Sequence, residues 1–185
     1  MQDFGDAFTI ALGLVTAADP DLLEIIGLSL RVSLTAVGLS CVLGLPVGAA
    51  VAMGRFTGRS VIIVLMNALM GLPPVVVGLG VYLLLSNAGP FGWLSLLYTP
   101  TAMIVAQTIL ITPIVAALSR EIIEQLHLEY AEQFRSLCVP RHTAVLALLW
   151  DGRYSLLTVA LAGFGRAVAE VGAVIIVGGN IDHLT

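Results

Sequence analysis

"SVIIVLMNALMGLPPVVVGLGVYLLLSNAGPFGWLSLLYTPTAMIVAQTILITPIVAALS", residues 60 to 119, contains no aspartate, glutamate, lysine or arginine. An ionised side chain at a bilayer centre costs about 2.5–3.5 kcal/mol, so a long charge-free run marks a chain that spans a membrane. A helix rises about 1.5 Å per residue and a hydrocarbon core is about 30 Å thick, so about 20 residues cross once. The run is three times that length and therefore holds two spans and a turn. "SNAGPFGW" (86–93), with its glycines and Pro90, is the natural turn. Outward from this run, Val32 to Gly54 is also charge-free, and a further apolar stretch reaches from Tyr154 to about Val177. The expectation is an all-α, polytopic transmembrane bundle with spans at about 25–54, 60–85, 98–118 and 154–177. Composition agrees: of 185 residues, 58% are hydrophobic and 11% charged, and the mean hydropathy of +1.02 excludes an ordinary soluble domain.

All eight basic residues are arginine. Six of them (Arg55, Arg59, Arg120, Arg135, Arg141 and Arg153) fall in the connection after the first span and the long connection after the third. Those connections share one side, which the positive-inside rule makes the cytoplasm. The first 24 residues hold five acids and no arginine, so the N-terminus is expected outside, and after four spans the C-terminal "GGNIDHLT" is expected outside as well. Phe8–Ala18 is apolar but short and lacks a positive flank, and is read as an interfacial helix rather than a cleaved leader. Cys41 lies in a span and Cys138 in the cytoplasmic segment, which leaves no disulfide; a single thiol with no paired histidine reads as packing.

The one polar segment of any size is 119–153. Ile123, Leu126, Tyr130, Phe134 and Leu137 recur at steps of three and four, the apolar face of an amphipathic helix. "VPRH" breaks the pattern at Pro140, and Thr143–Trp150 resumes as a short second helix. Such a helix–turn–helix either packs on the base of its own spans or docks a cytoplasmic partner. Its length exceeds what two adjacent spans need and favours docking.

Within the spans, Pro73 and Pro74 stand mid-membrane, where they kink or break a helix, and Thr112–Pro113 repeats the device. Broken helices at membrane depth are tolerated where they are buried in protein or line a water-filled cavity. Gln107, Thr108 and Thr112 add polar groups, and the combination marks a pathway. Arg166 and Glu170 are two full charges in the last span. On one helix they lie about 6 Å apart along the axis and can pair. The order, however, is reversed from the favourable one, in which the acid precedes the base. Gly165, Ala169 and Ala173 recur every four residues and would let another helix come close. The pair is read either as a gate or pathway element or as a structural clamp.

"GFGRAVAEVGAVIIVGGNI" (163–181), preceded by "LLWDGRYSLLT" (148–158), resembles the membrane permease subunits of ATP-binding-cassette oxyanion importers, tungstate permeases above all. "GLPPVVVGLGVYLLLSNAGPFGWLSLLYTPTAMIVAQ" (71–107) is similar to the same group, and the resemblance covers the chain from about Leu22. It implies the type I importer (MetI-like) fold and residence in the plasma or inner membrane, in contact with lipid. It also implies a homodimer of permeases, cytoplasmic ABC ATPase subunits and an extracytoplasmic oxyanion-binding protein. In such permeases a loop of pattern E-A-A, three residues, then G fits a groove on the ATPase. The matching stretch is "EQFRSLC": Glu132 takes the acid position, Gln133 and Phe134 stand at the alanines, and Cys138 stands at the glycine. Arg135, Leu137, Val139 and Pro140 complete the expected coupling segment. These permeases continue past "GGNI" to a further span, so the chain is expected to lack one.

The resemblance implies no cofactor, no metal and no nucleic-acid partner. No nucleotide loop of the G-x-x-x-x-G-K-[ST] type occurs. Histidines 127, 142 and 183 all lie outside the expected spans and no H-E-x-x-H is present, which speaks against an intramembrane enzyme. A molybdate or sulfate permease is the alternative within the class, and a proton-coupled carrier the alternative outside it.

Overall fold

The computed structural model describes residues 20–170 and 172–179. The described residues form seven α-helices: α1 (Pro20–Met53), α2 (Arg59–Met70), α3 (Pro74–Leu85), α4 (Pro100–Ser136), α5 (Arg141–Asp151), α6 (Arg153–Val168) and α7 (Gly172–Gly178). A 3₁₀ turn, Gly92–Leu94, sits in the connection that "SNAGPFGW" opens. The all-helical fold is as expected. The expected interfacial helix at 8–18 and the "GGNI" end beyond Gly179 lie outside the described residues.

Two helices, α1 and α4, are long and apolar enough to cross a membrane whole; the count reaches four if each of two bent pairs, α2 with α3 and α5 with α6, is one span. The expected second span is thus not straight. Pro73 adopts an extended backbone and Pro74 occupies the first turn of α3, where its missing N–H is harmless and its ring ends any helix before it. The two halves meet at 98°. Pro113 behaves differently, because α4 runs through it without a break. Thr112 Oγ1 donates to Thr108 O at 2.7 Å on the same helix, and neighbouring helices hold the segment in place, as happens for prolines in membrane helices.

The expected boundary at Ser119 is also absent: α4 continues from the apolar span into the amphipathic segment as one helix of 37 residues, about 55 Å long. A change of solvent does not interrupt backbone hydrogen bonds. The amphipathic stripe packs mostly on its own chain, with Ile123 fully buried against Ala49, Ala52 and Leu148, and Leu126, Tyr130 and Phe134 alongside. Leu137 does not join it and is 74% exposed. Tyr130 O–H donates to Asp151 Oδ2 at 2.8 Å, tying α4 to α5, and this bond raises the phenol pKa above its ordinary value.

α1 lies along α4, the most extensive helix–helix packing among the described residues. The seam is a row of small residues four apart: Ala36, Ser40, Gly44, Gly48 and Ala52, all buried. A Cβ at Gly44 would lie 2.9 Å from Val115 Cγ1, and one at Gly48 would collide with Ser119 Oγ and lie 2.6 Å from Ala116 O. Only glycine lets these backbones come so near. At the arginine-rich end, Arg59 donates to Val51 O (2.9 Å) and Ala52 O (3.3 Å), the free carbonyls of the last turn of α1. The same guanidinium pairs with Glu124 of α4 at 2.7 Å, and Arg120 bonds the other oxygen of that carboxylate. The Arg59 guanidinium thereby joins α1, α2 and α4.

Candidate functional site

The expected fourth span ends early. α6 stops at Val168 and α7 begins at Gly172, so Arg166 and Glu170 are not on one continuous helix. The last turn of α6 tightens, with Glu170 N–H bonding Ala167 O at 3.2 Å. The Glu170 carboxylate then takes over as acceptor for the next helix: Oε1 accepts from Ala173 N–H at 3.1 Å. A side-chain oxygen that captures a backbone donor three residues on is the ordinary device for starting a helix. The other oxygen accepts from Arg166 Nη1 at 2.7 Å. The acid is nearly enclosed, with 6% of its side chain exposed against 34% for the arginine.

The reversed order of the pair now has a cause. Arg166 sits in the last turn of α6, near its negative end, and Glu170 at the positive start of α7. Each charge is where its helix dipole favours it.

Gln107 of α4 reaches into the break from the side. Its Nε2 donates to Ala167 O at 3.4 Å, while Oε1 is buried and has no hydrogen-bond partner among the described residues. Beside it lies an open cavity of about 390 Å³ between α1, α4, α6 and α7, lined by Ser29, Ser33, Gln107, Glu170 and apolar residues including Met103 and Ile175. The structure therefore brings Gln107 and Glu170 to one cavity, while Arg166 pairs with Glu170 but is not among the cavity's lining residues. The two expected threonines are spent elsewhere. Thr108 Oγ1 donates to Ile104 O and Thr112 Oγ1 to Thr108 O, both at 2.7 Å within α4. Ser29 and Ser33 of α1 were not anticipated, since two serines in an apolar helix give no signal until α1 is placed against α4.

The expected small-residue face is also redistributed. Ala173 is fully buried and meets Gly78 of α3, where an added Cβ would lie 2.9 Å from Ala173 Cα. Gly165 and Ala169 face outward, and a Cβ at Gly165 meets nothing. Within the chain, close approach to α4 falls instead to Gly163 and Ala167, one turn apart on the other side of α6.

At the opposite end of the bundle, α4 closes in a Schellman motif. Val139 N–H bonds Phe134 O at 3.0 Å and Cys138 N–H bonds Arg135 O at 3.2 Å. Cys138 holds φ = 49°, in the left-handed region that glycine prefers. Glu132, Gln133, Arg135, Leu137, Cys138 and Pro140 are exposed, and Phe134 and Val139 are half-buried.

The family profile for the binding-protein-dependent transport system inner membrane component matches residues 44–180. The chain belongs to this family. It is therefore a membrane-embedded transport subunit and not an enzyme; members work with a substrate-binding protein and leave ATP hydrolysis to a separate subunit. Among relatives, a probable anion ABC transporter permease of Haloferax volcanii is 42% identical over 86% of this chain and 69% of its own. The tungstate uptake system permease TupB of Peptoclostridium acidaminophilum is 34% identical over 100% of this chain and 81% of its own. The sulfate permease CysW of Escherichia coli is 26% identical over 89% and 59%. In this permease family member, the left-handed Cys138 stands where the expected coupling motif has glycine.

Proposed function

We propose that the chain is the permease of an ATP-driven oxyanion importer whose cargo is tungstate. The observation that carries this is full-length likeness to two tungstate uptake permeases, at 34% identity over 100% and 97% of the chain. The 42% identical relative named for an anion supports the class of cargo. In this reading two copies enclose the pathway, and the arginine-rich end faces the cytoplasm. Residues 119–153 couple to the ATPase through Glu132, Gln133, Phe134 and the turn Leu137–Pro140. An external binding protein delivers the anion. The break between α6 and α7 is the moving part of the pathway, with Gln107 beside it. A tetrahedral dianion is attracted by a guanidinium and repelled by a carboxylate, so Glu170 neutralises Arg166 at rest and prevents a permanent trap.

The test is tungsten, molybdenum and sulfur uptake, by elemental mass analysis, in cells with and without the gene, each oxyanion supplied at low concentration. Loss of tungsten uptake with the others spared is expected. Loss of molybdenum or sulfur instead identifies a different cargo and overturns the tungstate reading. Unchanged uptake of all three refutes the oxyanion class.

A further inference from the structure

Three arginines and a histidine meet where α1 ends and α4 turns into α5. Arg55, His127, Arg135 and Arg141 line one cavity of about 260 Å³. The neighbouring arginines at this end are engaged: Arg59 and Arg120 hold Glu124, and Arg153 stacks on Trp150 and Tyr154. Arg55, Arg135 and Arg141 have no ion pair among the described residues, although Glu132 precedes Arg135 by about a turn. Three guanidinium groups around one opening repel one another unless an anion enters. His127 Nδ1 faces the same place with no hydrogen-bond partner among the described residues, and in the tautomer that carries its proton there it donates to such an anion. The cavity also borders the start of α5, whose first turn has Pro140 before it and no side-chain cap. Uncapped N–H groups at the positive end of a helix of 11 residues favour the same charge.

We propose that this joint binds a tetrahedral oxyanion, either a free dianion or the phosphate monoester of an anionic lipid. Bound there, it bridges the connection after α1 to the turn between α4 and α5, and so holds the proposed coupling segment against the bundle. The inference does not depend on which anion the permease carries.

The experiment measures thermal unfolding of the full chain in phosphatidylcholine nanodiscs. One arm titrates inorganic phosphate and tungstate against sodium chloride of equal ionic strength; the other adds phosphatidic acid to the nanodisc. A saturable rise in Tm is expected in one arm at least. Response to the free anions assigns a soluble ligand, and response to phosphatidic acid alone assigns a lipid headgroup. The double variant Arg135→Gln/Arg141→Gln should weaken the response by about tenfold or more, and so should Arg55→Gln from its separate element, while Arg31→Gln, an exposed arginine near the other end of α1, retains it. No saturable response in either arm overturns the proposal, as does a response that both Arg55→Gln and the double variant preserve.

Discussion

At the residue scale, the Glu170 carboxylate has two jobs, as counter-ion to Arg166 and as acceptor that starts α7. Removing one partner of a buried pair leaves an uncompensated charge and costs about 3–5 kcal/mol. With Arg166 34% exposed the pair is only partly buried, so Arg166→Ala is expected to destabilise by less, about 1–3 kcal/mol, whereas Glu170→Gln, which keeps an acceptor for Ala173 N–H, loses less still. A double-mutant cycle read by thermal unfolding should show coupling of about 1 kcal/mol or more; additive losses would mean the two groups act independently. Cys138 is a second residue-scale case. A non-glycine residue at φ = 49° carries about 1 kcal/mol of local strain. Cys138→Gly should stabilise by about that amount, measured as a raised Tm, and an unchanged or lowered Tm contradicts the strain. The sequence placed this residue at the glycine position of a coupling motif by resemblance, and the backbone gives the physical reason for glycine there.

At the scale of elements, the α1–α4 seam depends on what glycine lacks. Gly48 lies against Ser119 and the carbonyl of Ala116, whereas Gly38, on the same helix, faces open space. Gly48→Ala overpacks the seam and should cost about 1–3 kcal/mol. Gly38→Ala only removes backbone freedom and should gain up to about 1 kcal/mol. Paired thermal melts of the two variants test this, and equal shifts would show that the seam yields. The small-residue row from Ala36 to Ala52 was present in the sequence at four-residue spacing. Spacing alone does not say which helix such a row meets, and the similar row at Gly165, Ala169 and Ala173 turns only its last member into the bundle.

At the scale of the molecule, two unbroken helices form a spine and two bent pairs surround it. The 98° bend between α2 and α3 leaves each half, 12 residues long, at about 18 Å, too short to cross alone. Replacing Pro73 and Pro74 with alanine should let α2 and α3 join and straighten. In an assembled transporter, uptake is expected to fall by about tenfold or more, with membrane insertion retained. Uptake unchanged in the straightened variant would make the bend dispensable.

The sequence by itself determined the solvent, the helical class and the number of apolar segments, because a charge in hydrocarbon is costly and composition records that cost directly. It also located the turn at 86–93, the proline break and the charged pair. Tertiary structure alone decided that α4 runs through both Pro113 and the change of solvent. It likewise decided that α6 yields to α7 between the two charges, and that Thr108 and Thr112 bond backward while Gln107 faces a cavity. These outcomes depend on competition for backbone donors and acceptors between neighbouring helices. Residue order does not reveal that competition until the helices are packed.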